Sequence, residues 1–185
     1  METPKIIDLE IVTNNFIKLL KNSKIPYMVV GGLAVNYFGD FRLTKDIDVV
    51  IAIDLSKIEK ILNLLGRGKY KFHKEEINAL AKLSNHFTIT DPSDTYRIDF
   101  WIPKTYYEKK AFARRKKKRT KTGLVSFITP EDLVLFKLIA NRTQDILDVE
   151  SILQRQKGKL DRKYLRFWAI ALNIYEKLKK LEAKL

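Results

Sequence analysis

A chain of 185 residues with 36 Lys+Arg, 22 Asp+Glu and no Cys carries a net charge of +14. That length suits one domain, or one domain with a helical extension, and can hide about 70% of the surface an unfolded chain exposes. Disulfides and thiolate metal sites are excluded. No apolar run reaches the ~20 residues of a membrane span, and the acidic start "METPKIIDLE" does not read as a signal peptide, so a cytoplasmic address is expected.

In chain order, Leu9, Val12, Phe16, Leu19 and Leu20 form one apolar stripe, which predicts a helix over 8–22. "YMVV" reads as a buried strand running into Gly31-Gly32, and "LAVNYF" as a short helix stopped by Gly39 at its C′ position. "IDVVIAI" is the next strand. Asp54 is an N-cap candidate for a helix carrying Ile58, Ile61, Leu62 and Leu65 and ending at Gly66. "HFTIT" and "TYRIDFWI" are strands joined through "DPSD". Alternation puts Tyr96, Ile98 and Phe100 on one face of the second, and Arg97, Asp99 and Trp101 on the other.

"GLVSFI" is a further strand. "TPEDLVLFKLIANR" opens a helix with Thr129 as N-cap and Pro130 at N1. Two more helices are predicted, over 144–156 and 161–181, the second with a core stripe of Tyr164, Phe167, Trp168 and Tyr175. The expected fold class is α+β: a small mixed sheet with helices packed on it over residues 1–128, then a helical region over 129–185.

The chemistry concentrates in "GGLAVNYFGDFRLTKDIDVVI". Residues i and i+2 of a strand share a face, so Asp46 and Asp48 project together while Ile47 points into the core. Two neighbouring anions call for a cation between them. Oxygen ligands without nearby Cys or His favour Mg²⁺ or Mn²⁺ over zinc. Asp99, flanked by apolar residues on its own strand, is the candidate third carboxylate. Three carboxylates suit two ions about 3.5–4 Å apart in a phosphoryl displacement. Gly31-Gly32 sits between strand and helix, where a backbone without Cβ atoms and free N–H groups can approach a phosphate.

This order, with "RIDFW" and "TPEDLVLFKLIANRTQDILD" after it, resembles the nucleotidyltransferases of the DNA polymerase beta superfamily over roughly residues 10–155. The nearest likeness is to small bacterial and archaeal members related to AbiEii-type abortive-infection toxins. The resemblance implies the nucleotidyltransferase fold and an NTP substrate. It makes Asp46 and Asp48 the paired metal ligands, with Asp99 the third carboxylate, placed to help deprotonate an acceptor hydroxyl. Gly31 and Gly32 would cradle the triphosphate. Lys137 matches a position that carries a phosphate-facing lysine in the toxin-like relatives. Many superfamily members have Gly-Ser where this chain has Gly-Gly, a pair also found in branches similar to tRNA CCA-adding enzymes and antibiotic nucleotidyltransferases.

Other charged residues have two readings. Arg42 and Lys45 precede the carboxylates and suit either phosphate contact or a counter-ion role. Asp145 and Asp148 read as first-turn acids favoured by the helix dipole, while the family resemblance leaves Asp145 open as a support for Lys137 or Arg142. His73 and His86 lack metal-ligand spacing and read as surface or loop histidines.

Residues 1–103 carry a net charge of only +1, so residues 104–185 supply +13. The run Lys109–Lys121 is its densest part, expected near the mouth of the cleft, where it would grip an RNA acceptor such as a tRNA end or form a solvated helix and turn. The function expected is metal-dependent NMP transfer from an NTP to a hydroxyl. The rivals are a non-catalytic binding or toxin–antitoxin partner of the same fold, and an antibiotic-modifying nucleotidyltransferase.

Overall fold

A computed structural model describes residues 9–53, 58–120 and 123–184. Among these, α1 (Leu9–Asn22) leads into β1 (Tyr27–Val29), α2 (Gly31–Phe38) and β2 (Asp46–Ile51). Next come α3 (Ile58–Arg67), α4 (Lys74–Leu83), β3 (His86–Thr90), β4 (Arg97–Trp101), α5 (Tyr106–Arg114), β5 (Lys116–Thr120) and β6 (Gly123–Phe127). The chain then turns helical through α6 (Pro130–Ala140), α7 (Thr143–Arg155), α8 (Arg162–Ala171) and α9 (Tyr175–Glu182). The α+β expectation holds.

The six strands form one mixed sheet in the order β3-β4-β2-β1-β6-β5. β2 runs parallel to β4 and antiparallel to β1, which runs parallel to β6. Hairpins β3–β4 and β5–β6 form the two edges. Alternation in β4 sorts as its sequence predicts: Ile98 and Phe100 are fully buried, while Arg97 and Trp101 are exposed. On the apolar face Phe100 stacks on Phe87 at 4.7 Å and meets Phe16 of α1 edge-on at 5.5 Å. All three rings are 0% exposed, so truncating any of them to Ala should cost about 3–5 kcal/mol.

Two polar hubs fix the connections. The Asp91 carboxylate accepts from the backbone N–H groups of Ser93, Thr95 and Tyr96 and ties the β3–β4 turn. Burial alone would raise its pKa, but these donors and the Ser93 hydroxyl outweigh it and hold the group low. Asp132, 0% exposed in the first turn of α6, accepts from Thr129, Tyr107 and Tyr164 hydroxyls and from Arg114 Nε. It joins α5, α6 and α8, and burial with this anion nearby pushes both tyrosines up.

Several expectations need correction. α4 was not foreseen, because Ile77 is the one buried apolar side chain among its described residues and acids crowd its first turn. The single helix expected over 161–181 is broken into α8 and α9 at Asn173, which adopts φ +57 as few residues but Gly and Asn readily do. Phe167 is 64% exposed and is not core. Gly39 does cap α2, but with φ −115 rather than a left-handed turn. Glycine is needed there because a Cβ would lie 2.4 Å from Ser151 Oγ on α7. α3 runs one residue past Gly66, and the Asp54 cap lies outside the described residues.

Candidate active site

The parallel register of β2 and β4 sets Asp46 opposite Arg97 and Asp48 opposite Asp99. In-register neighbours share a face, so all three carboxylates stand on one side of the sheet, at the end where β1 gives way to α2. β3 extends the same face on the far side of β4. Thr88 lies opposite Asp99 and its hydroxyl donates to Asp99 Oδ1 at 2.5 Å. His86 stacks on Trp101 at 4.1 Å between ring centroids, with Nε2 3.5 Å from the same Asp99 oxygen. That Nε2 is buried and has no hydrogen-bond partner among the described residues. His86 is therefore a strand residue facing the candidate site, not a surface or loop histidine.

Gly31 and Gly32 are explained by what they touch. Gly31 opens α2 with φ +59, and a Cβ there would fall 1.9 Å from Asp48 Oδ2. A Cβ on Gly32 would fall 2.6 Å from Thr44 Oγ1. The Gly32 N–H donates to Asp48, so the carboxylate lies at the N-terminus of α2 with the positive end of its dipole.

Burial nonetheless raises the Asp48 pKa. The Asp99 and Asp46 charges push it the same way, and Lys137 and the Gly32 N–H offset them only in part. Arg97 is the cation the structure supplies, 4.0 Å from Asp46 and 3.9 Å from Asp99.

Among the described residues no three acidic or imidazole side chains stand close enough to form a ready-made metal cage. The donor chemistry, carboxylate oxygens crowded into mutual repulsion, still suits a hard divalent cation.

Lys137, Asp145 and Asp148 form a second, buried layer. Lys137 Nζ lies 2.7 Å from Asp145 and 2.8 Å from Asp148. Arg142 Nε binds the other Asp145 oxygen at 2.7 Å, and Arg42 grips Asp148 in bidentate fashion at 2.7 and 2.9 Å. Burial would raise both acids, but Arg142 and Lys137 on one, and Arg42, Lys137 and Gln144 on the other, hold them below the ordinary range. The helix dipole is thus not their main support; they anchor an ion network joining the 40–45 loop, α6 and α7. Arg42 is committed to Asp148, whereas Lys45 is exposed and makes no ion pair among the described residues.

The basic run divides unexpectedly. Arg114 is structural: it binds Asp132 and Glu131 and lies 3.5 Å over the Tyr164 ring. Lys116–Thr120 form β5, the edge strand, separated from β2 by β1 and β6. At ~4.8 Å per strand that is roughly 14 Å from the carboxylates, so this strand does not line the cleft mouth.

Sequence reasoning missed Thr88 and His86 as site neighbours, whereas alternation had already set Arg97 on the Asp99 face. The polar alternation of His86, Thr88 and Thr90 in "HFTIT", matching that of "RIDFW", was the available signal.

A strand–Gly-Gly–helix–strand unit presenting paired aspartates beside a third carboxylate on a parallel neighbour defines the nucleotidyltransferase fold, and solved structures agree. One neighbour is the lincosamide antibiotic adenylyltransferase LnuA with bound lincomycin: TM-score 0.57, 15% identity, covering 77% of this chain and 95% of that one. A second is ANT(2")-Ia in complex with adenylyl-2"-tobramycin: TM-score 0.59, 11% identity, covering 89% and 97%. A third is an antigenic nucleotidyltransferase-like protein from Paracoccidioides brasiliensis: TM-score 0.55, 18% identity, covering 95% and 90%. At these identities the likeness is one of fold.

No curated protein matches the sequence. The family is nevertheless clear: over residues 8–178 the chain matches, and belongs to, the family described as "Nucleotidyltransferase of unknown function (DUF6036)". Among the described residues no helix is long and apolar enough to cross a membrane.

Proposed function

We propose that the chain transfers a nucleoside monophosphate from an NTP to an acceptor hydroxyl. The acceptor oxygen forms a bond to the α-phosphorus, the bond from that phosphorus to the β-bridging oxygen breaks, and pyrophosphate leaves with its electron pair. Asp46 and Asp48, with Asp99, would hold Mg²⁺ or Mn²⁺, which when bound supplies charge neutralisation for the phosphates. Asp99, held by the Thr88 hydroxyl, would take the acceptor proton. The Gly31-Gly32 backbone lies at the positive start of α2, with the Gly32 N–H on Asp48, and Lys137 adds positive charge behind Asp48.

One observation carries the reading: Asp48 and Asp99 are in-register partners on adjacent strands, and Gly31 leaves no room for a side chain beside Asp48. The acceptor favoured by the charge of the second half is an RNA hydroxyl, such as a tRNA end. The narrower kinship with AbiEii-type toxin nucleotidyltransferases rests on the quoted sequence motifs.

The test incubates the protein with each α-labelled NTP, Mg²⁺ and total cellular RNA. Label should enter the RNA with wild-type protein and not with Asp48→Ala. Equal incorporation by the variant would overturn the carboxylate assignment.

A further inference from the structure

The exit of α1 separates two concavities of about 490 and 580 Å³. Lys21 and Lys24 line the first together with Arg115 and Lys117 from the β5 side; Lys60 and Arg67 of α3 line the second. Among the described residues no acidic side chain lines either cavity, and none of the six cations is in an ion pair. Lys21 in the last turn of α1 complements that helix's dipole, which is its ordinary explanation. The dipole does not account for cations delivered to the same path by β5 and α3. On β5, Lys117 and Arg119 alternate at about 6.6 Å, close to the step between phosphates of a polynucleotide strand, while Arg115 precedes the strand as the C-cap of α5 and donates to the Phe112 carbonyl.

We infer that this path is a binding track for the phosphodiester backbone of a single-stranded polynucleotide, wrapped around the α1 exit and apart from the carboxylates. It deepens the proposed RNA acceptor, adding a grip that the run at 109–121 alone does not provide. Concavity favours a strand over a membrane, whose flat surface cannot follow two grooves divided by a turn. Leu124 is the one exposed large hydrophobic side chain in the lining, so nothing is offered for insertion into lipid. The cations come from separate elements, with residues 21–24 at the α1 exit shared between the two linings, so that a flexible strand of charges can meet both cavities.

The experiment measures fluorescence anisotropy of labelled 20-nucleotide poly(U) and poly(dT) with full-length protein across a salt series. Six neutralised phosphates predict a log–log salt slope of about −4, or a loss of several hundredfold between 50 and 200 mM. The triple variant Lys24→Gln, Lys60→Gln, Lys117→Gln should reduce the slope to about −2. A charge-matched control, Lys177→Gln, Lys179→Gln, Lys180→Gln on exposed positions of α9, should bind as wild type.

Equal binding of both polymers assigns recognition to the backbone, and preference for poly(U) adds a ribose contact; either supports the track. Unchanged slope in the triple variant, equal loss in the control, or binding to phosphatidylserine vesicles but to neither polymer overturns it. Binding needs no turnover, so protein that binds but labels no RNA would refute RNA as the acceptor of the transfer and leave the track standing.

Discussion

Replacing Lys137 with Met tests the ion network most directly. The lysine side chain is 8% exposed and its partners Asp145 and Asp148 are 1% exposed, so the substitution strands two carboxylates in a dry environment. Breaking a buried ion pair costs about 3–5 kcal/mol, and because each aspartate keeps an arginine the lower end, about 3 kcal/mol, is expected. For a domain of this size that corresponds to a fall in Tm of about 6–12 °C.

Far-UV circular dichroism during heating gives the measurement. Adding Asp145→Asn to the Lys137→Met variant should restore part of the loss. Because Asp145 and Asp148 titrate below the ordinary carboxylate range, the wild-type network stabilises the fold above about pH 4, and its contribution falls as the pH drops through their lowered values. The variant should show a shallower acid dependence. A Tm change under about 2 °C with an unaltered acid profile would refute this account of the buried layer. If the double variant regains stability but not NMP transfer, Lys137 acts on the substrate as well.

Gly31→Ala should reduce kcat/KM for NMP transfer at least about 100-fold, since its Cβ would fall 1.9 Å from Asp48 Oδ2 and displace it; wild-type kinetics would show the contact to be irrelevant. Asp48→Asn should lose transfer yet raise Tm by a few degrees, because a buried anion facing Asp99 is removed. The wild type should lose stability as pH rises through the elevated Asp48 pKa, and the variant should not; a lower Tm in the variant would contradict this. Arg114→Ala should cost about 2 kcal/mol in urea unfolding while Lys117→Gln costs under about 0.5 kcal/mol, separating the structural from the solvated part of the basic run.

Local rules made much of the sheet legible. Strand periodicity put Asp46 and Asp48 on one face of β2 and Asp99 on the face of β4 away from Ile98 and Phe100, while bringing the three together took the parallel register of the two strands. Thr129-Pro130 marked the start of α6 because cap chemistry is contained within four residues. What escaped depends on distant partners. Nothing near Asp148 announces a bidentate arginine 106 residues earlier, and the first-turn position gave a sufficient local explanation. The lysine-rich β5 reads as a helix and turn because its composition is poor in strand formers; pairing with β6 overrides propensity. At Asn173 the apolar spacing carries on through the break, so only the asparagine hinted at two helices.

The sheet is open, and one rim is Lys116, Lys117, Lys118 and Arg119 in succession. A rim of unpaired backbone groups invites a second copy to zip on and begin a fibre, and consecutive like charges make that addition repulsive. Whatever ligand neutralises this border also removes its protection. Crowded protein in the presence of short polyanions, too small to keep copies apart, should therefore be the condition under which it self-associates.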